Sequence, residues 1–215
     1  MKLIEKPVTD GRYKKVVSRF ADFEFGPWVA GGSVRKVWEE KPWNSQDIDF
    51  FFASPTQFRT FADRVSELGK IEYKHETDNA ITYKIYTGPY RQKQSMFDNL
   101  KKLTCFDEPD PSLNPENWLN IQFVRRKFYA SFEDLLNDFD INIAQFVTDG
   151  NIMLATEQAL VDAENKLLRL NPMSTKGIKP LRFAKYCAYG YKPTLELFSD
   201  VVHDMIKNGY SNEEY

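Results

Sequence analysis

Residues 28–52, WVAGGSVRKVWEEKPWNSQDIDFFF, restrict the fold more than any other part of this chain. A short apolar run, Trp28–Ala30, leads into Gly31-Gly32-Ser33 and a segment with helical spacing. Asp47 and Asp49 follow inside a second apolar run. Two glycines allow a tight turn and let the backbone approach a phosphate without a side chain intervening. In an extended strand Asp47 and Asp49 point to one face. A pair of carboxylates there suits a hard cation such as Mg²⁺. Phe50-Phe51-Phe52 directly after them demands a partner for the charge, because burying a bare carboxylate is costly. Each part has a plainer reading: Gly-Gly as an ordinary turn, Asp-x-Asp as a solvated strand end. The order of the parts points to a site for a nucleoside triphosphate and its metal.

The rest of the chain supports an α/β (α+β) architecture. Helical spacing is expected over residues 12–22, 33–40 and 54–68, the last opened by Ser54-Pro55. Strands are expected at 28–30, 47–52, 71–73, 80–86 and 118–124. In the last of these, Leu119, Ile121 and Phe123 share one face and Asn120 and Gln122 the other. Ser131 opens a short helix, 140–148 reads as extended, and Asp149-Gly150 as a turn. Residues 107–111 read as a loop and 93–102 as a helix. From residue 156 the pattern is helical, broken near Asn171-Pro172 and Gly190–Pro193. A mixed sheet flanked by helices over 1–155, followed by a small helical part over 156–215, is the expected organisation.

Composition bounds the function. The chain has 215 residues, 42% hydrophobic and 28% charged, which suits a soluble globular protein. No apolar run approaches the roughly 20 residues that cross a bilayer, and the N-terminal residues lack a secretory apolar core. Cys105 and Cys187 are too few for a disulfide framework, so a reducing cytoplasm is expected. Two histidines and two cysteines make no zinc spacing, so any metal is expected on oxygen. A net charge of −2 does not by itself announce nucleic acid. The stretch from Asn165 to Leu195, however, holds no Asp or Glu and carries Lys166, Arg169, Lys176, Lys179, Arg182, Lys185 and Lys192. Such a tract attracts phosphates, unless acids from elsewhere balance it in the fold.

On these residues the chain resembles the head of the polymerase-β nucleotidyltransferase superfamily, in particular the tRNA nucleotidyltransferase (CCA-adding) and poly(A) polymerase family. Gly31, Gly32, Val34, Arg35, Asp47 and Asp49 match that family's first motif, with Lys36 where it usually has Asp. Asp138, Phe139, Ile141 and Asn142 match a second motif, which in the family holds the ribose; the plainer reading of Asp138 and Asn142 is local capping. Two further stretches are similar, Val161–Arg169 and Pro180–Ala184, but the family's base-template signature before Arg182 is missing.

The resemblance implies Mg²⁺-dependent transfer of a nucleotide from an NTP to an acceptor hydroxyl, with an RNA (tRNA) 3′ end as acceptor. It implies Asp47 and Asp49 as metal-bridging catalytic residues. Ser33 and the neighbouring amides would cradle phosphates. Arg35 would pair with phosphate, or else with Glu39 on the same helix. Asp138 and Asn142 would hold the ribose, and Lys179 and Arg182 would reach base or phosphates. The superfamily's third carboxylate corresponds to Asn120, which can ligate Mg²⁺ but neutralises no charge. A triphosphate-side ion is therefore expected to bind better than a hydroxyl-activating one. Two other readings stay open: a small transferase that modifies a protein or small molecule, and a catalytically weak nucleotide- or RNA-binding module.

Overall fold

A computed structural model describes residues 1–43, 46–87 and 117–208. The helix expected at 93–102 and the loop at 107–111 lie outside the described residues. An eight-stranded mixed sheet organises the fold, in the order β1-β8-β7-β2-β3-β6-β5-β4. Its strands are β1 (Leu3–Pro7), β2 (Trp28–Ala30), β3 (Ile48–Phe51), β4 (Lys70–Glu76), β5 (Ala80–Tyr86), β6 (Trp118–Val124), β7 (Phe146–Thr148) and β8 (Ile152–Thr156). Its one parallel pair is β3 with β6, in register Ile48↔Ile121, Asp49↔Gln122 and Phe50↔Phe123. Every other neighbouring pair is antiparallel.

The alternation of β6 works as expected. Leu119, Ile121 and Phe123 are buried, and they join Ile48 and Phe50 in the main core. Phe50 and Phe123 meet edge to face, 5.4 Å between ring centres, the arrangement aromatic quadrupoles favour. Helices α1 (Gly11–Val17), α2 (Gly32–Trp38) and α3 (Pro55–Asp63) cover this side through Val16, Val17, Val34, Val37 and Phe58. The opposite face of the sheet is covered in part by α4 (Phe132–Asp138), whose Leu135 and Leu136 pack with Trp28, Ala30 and Phe51.

Several elements are shorter than their periodicity suggests. Ser18 caps α1, so the helix stops at Val17 rather than residue 22. The helix expected over 54–68 divides into α3 and a 3₁₀ turn, Val65–Leu68. The extended segment expected over 140–148 is interrupted by a 3₁₀ turn, Asn142–Ala144, and only β7 is a strand. Asp47 lies just ahead of β3, not inside it. The Asp149-Gly150 turn does join β7 to β8, with the Asp149 carboxylate accepting from the Asn151 and Ile152 amides.

After β8 come α5 (Glu157–Glu164), α6 (Pro180–Ala188) and α7 (Leu195–Asn208). The region expected to be helical also holds a small parallel pair, β9 (Leu167–Leu168) with β10 (Lys192–Pro193). A second hydrophobic cluster unites Leu168, Ile178, Tyr191, Leu197 and Val201 with Ile141 and Ile143. Among the described residues no helix is long and apolar enough to cross a membrane.

Candidate nucleotide site

The turn after β2 has the backbone its glycines suggest. Gly31 takes φ +92°, which a side chain would strain, and its N–H donates to the Phe146 carbonyl at 2.8 Å. Among the described residues, a Cβ added at Gly31 would meet nothing within 4 Å. Gly32 begins α2, near the Gln46 side chain.

Asp47 is exposed and Asp49 half-buried. Burial pushes the Asp49 carboxyl up to about 7 and the Asp47 charge pushes the same way, while Arg182 and Lys185 oppose them. These two cations stand three residues apart on α6, on one helical face. They are the counter-charge that acids beside three phenylalanines require. Arg182 also lies 3.3 Å from Asp140 Oδ1. Lys179, exposed, directly precedes α6 one turn before Arg182. The site thus combines an acid pair at the start of β3 with cations from α6 that act on Asp49.

Other expected site residues are placed differently. Ser33 is fully buried, and its hydroxyl is 3.3 Å from Tyr13 Oη, so it faces the core and not the open side of the turn. Arg35 is neither free for phosphate nor paired with Glu39. It is buried, its Nη1 donates to Tyr191 Oη, and its guanidinium lies over the rings of Tyr186 and Tyr191. Its role here is to tie α2 to the helical part. Asn142 is buried too. Its amide donates to Asp162 Oδ2 at 2.9 Å, and Gln158 and Arg169 reach the other oxygen of that fully buried carboxylate. That network holds the 3₁₀ turn against α5, which is the plainer reading of Asn142.

Asp138 sits in a polar nest. Lys127 Nζ donates to it at 2.6 Å, Tyr129 Oη at 2.9 Å, and Lys176 Nζ also reaches it. Burial acts to raise the Asp138 carboxyl, but these hydrogen bonds outweigh it and hold the group below its ordinary value. Burial and then Asp138 push the Tyr129 phenol well up.

Asn120 is exposed on β6 opposite Lys84 of β5. It precedes Ile121 as Asp47 precedes Ile48, so the register sets it beside Asp47, while Asp49 lies beside Gln122. Gln122 donates to Thr82 at 3.2 Å. Among the described residues no three His, Cys, Asp or Glu side chains gather closely enough to hold a metal. Lys185 is the residue the sequence named only within a cationic tract. Its position one turn after Arg182 was the available signal.

Known proteins resemble this chain in sequence family and in fold. The family model described as Gabija anti-defense 2 family protein matches residues 10–166. The chain belongs to the Gabija anti-defense 2 family. No curated protein matches its sequence. Solved structures do share the fold. A CCA-adding enzyme in complex with ATP aligns at TM-score 0.57 and 14% identity, covering 98% of this chain and 47% of that one. A CCA-adding enzyme in apo form I gives 0.57 and 13%, covering 96% and 47%. A tRNA-processing enzyme in apo form I gives 0.51 and 16%, covering 85% and 42%. At such identities the likeness establishes a nucleotidyltransferase-like fold, and the chain spans about half the length of these proteins or less. The resemblance to tRNA nucleotidyltransferases therefore holds for the fold, whereas the family model that matches is a different one.

Proposed function

We propose that this Gabija anti-defense 2 protein is a metal-dependent nucleotidyltransferase that moves a nucleotide from an NTP onto a hydroxyl of a macromolecular target, and that the target belongs to the Gabija defence. The observation that carries the reading is that Asp49, beside Asp47, feels the opposing charges of Arg182 and Lys185 from α6. Acids alone would suit a metal and cations alone an anion; a metal–triphosphate needs both.

The residues fit one Mg²⁺. Both donors are carboxylate oxygens, and Asp49 binds its proton up to about pH 7 because burial and Asp47 disfavour its charge, a disfavour that a divalent cation removes. When bound, the ion would neutralise phosphate charge and polarise the α-phosphorus. Arg182 and Lys185 hold the triphosphate by charge and draw negative charge away from the leaving pyrophosphate. The Gly31 turn leaves room for phosphate oxygens. Asp49, once ionised, orients the site and accepts the proton of the attacking hydroxyl. In this reading the head, residues 1–155, supplies the acids and the helical part, 156–215, the cations. Asp138, already ionised in its nest, is available to ribose hydroxyls only if Lys127 or Lys176 yields.

The second reading is transfer to an RNA (tRNA) 3′ end, favoured by the shared fold with CCA-adding enzymes. One experiment separates the two. Purified protein is incubated with each labelled NTP and Mg²⁺, with mixed tRNA in one arm and purified Gabija proteins in the other. Label on a Gabija component supports the proposal, and label confined to tRNA replaces it with the second reading. Transfer that survives Asp47→Ala combined with Asp49→Ala refutes the metal-site assignment.

A further inference from the structure

A second charged feature lies on the helix side of the sheet. Arg12, Lys15 and Arg19 follow one another on the outer side of α1 and the turn after it, while Tyr13, Val16 and Val17 face the core. All three line a groove of about 860 Å³, together with Lys70, Thr87 and Asn117. Arg12 also lines a neighbouring groove that includes Lys41 and Trp43. Among the described residues none of the three has a carboxylate within ion-pair distance, because the nearby acids are engaged elsewhere. Asp10 caps α1 and accepts from Trp43 Nε1 at 2.8 Å. Glu40 pairs with Lys6 and Glu67 with Arg64. The Arg12 guanidinium lies over the Trp43 ring, with Nε and Nη2 enclosed and without an acceptor. Arg19 donates to the backbone carbonyl of Glu67, and its charge also helps to lower the Glu67 carboxyl, whose hydrogen bonds go to Arg64. In a chain of net charge −2, a groove lined by three cations that no acid among the described residues pairs with suits a polyanion.

The groove opens at a particular end of the sheet. Asn117 directly precedes β6, Thr87 directly follows β5, and Lys70 begins β4. Because β3 runs parallel to β6, this is also the end at which Asp47 enters β3.

We propose that the α1 groove binds the phosphodiester backbone of a single-stranded nucleic acid. A ligand-sized concavity admits one strand and not the body of a duplex. Arginine forks match phosphate oxygens two at a time, and a cationic groove that tracks a backbone is how sequence-tolerant single-strand binding works. The choice of nucleic acid over an acidic polypeptide rests on the nucleotidyltransferase reading of the acid pair at the same end of the sheet. The groove's charge and shape do not depend on it.

The test is fluorescence anisotropy of the intact protein with labelled single-stranded RNA and DNA oligonucleotides over a range of salt. Arg12→Ala/Lys15→Ala/Arg19→Ala should weaken binding roughly tenfold or more at low salt. It should also reduce the slope of log K against log salt by about 2, since each phosphate left without its cation accounts for about 0.7. Lys15→Glu/Arg19→Glu, which spares the Arg12–Trp43 contact, should also weaken binding, so a folding defect in the triple variant leaves the question answerable. Lys207→Glu, on α7 and outside the groove, should change little. The proposal is overturned if the unaltered protein binds neither oligonucleotide, if both groove variants bind like it, or if polyglutamate competes as well as the oligonucleotides do. Loss of binding in Lys207→Glu equal to that in the groove variants would overturn it too, because binding would then follow overall charge and not the groove. A protein that fails to transfer nucleotide but passes these arms keeps the groove and loses only the reaction.

Discussion

Asp49→Asn should stabilise the metal-free protein, by an amount that depends on pH. The folded protein moves this carboxyl from its ordinary 3.8 to about 7, through burial first and Asp47 second. An acid whose folded pKa is raised gives stability below its unfolded pKa and loses it as pH rises through the folded value. Ionising Asp49 in the folded state therefore opposes folding. At about 1.4 kcal/mol per pH unit between the two values, the penalty is near zero at pH 3, about 1.5–2 kcal/mol at pH 5 and about 4 kcal/mol above pH 7. Asparagine carries no charge and escapes the penalty. For a chain of this size the gain corresponds to about 10 °C in Tm at pH 8. Thermal or urea unfolding of both proteins at several pH values in EDTA reads it directly, and adding Mg²⁺ should raise the Tm of the unaltered protein while leaving the variant almost unmoved. A pH-independent difference, a destabilised variant at pH 8, or equal Mg²⁺ responses would refute the reasoning.

Four further outcomes follow from particular contacts. Gly150→Ala forces a side chain onto φ +91° with its Cβ 2.4 Å from the Ser18 backbone nitrogen; it should lower stability by about 2–5 kcal/mol, read as a lower urea midpoint with unchanged m. Tyr191→Phe removes the acceptor of the buried Arg35 guanidinium and should lower stability by about 1–3 kcal/mol, whereas Tyr189→Phe, at a ring 52% exposed, should do almost nothing in the same thermal assay. The Asp138 carboxyl is held below its ordinary 3.8, so its contribution is present above that value and fades as pH falls through the lowered one. Asp138→Asn should thus unfold earlier than the unaltered protein near pH 7, with the gap closing under strong acid. Asn120→Asp sets a third carboxylate beside Asp47 in the sheet register and should tighten Mg²⁺ binding by isothermal titration; unchanged affinity would remove Asn120 from the metal's surroundings.

Local pattern revealed what local pattern determines. Alternation in residues 118–124 specified both the strand and its faces, and so the side of the sheet on which Asp49 lies. Ser54-Pro55 opened α3 as its capping chemistry requires, with the Ser54 hydroxyl accepting from Gln57 N–H at 3.1 Å. Roles set by distant partners were not legible. Arg35 meets Tyr191, 156 positions away, and nothing near Arg35 announces a tyrosine acceptor. Asn142 looked like a ribose ligand because its motif neighbours did, yet its amide is committed to Asp162. The edge strand β1, LIEKP, has too little alternation to stand out, and it is a strand because β8 pairs with it from Leu3↔Thr156 to Pro7↔Ile152.

The arrangement of charges explains why the acids and the cationic tract occur in one chain. Asp49 lies in the sheet with Asp47 just ahead of it, Arg182 and Lys185 belong to a helix that follows, and Arg35 on α2 meets Tyr191 just after that helix. Arg182 and Lys185 of α6 are the two influences that lower the Asp49 carboxyl against burial and Asp47. Without the acids, the same helix would be a cationic surface with no reason to prefer a metal-bound triphosphate over any other anion. The buried Arg35 contact joins α2 to Tyr191, just after α6. Loosening that contact should therefore appear first as a change in the pH at which the acid pair accepts a divalent cation, before any loss of the fold.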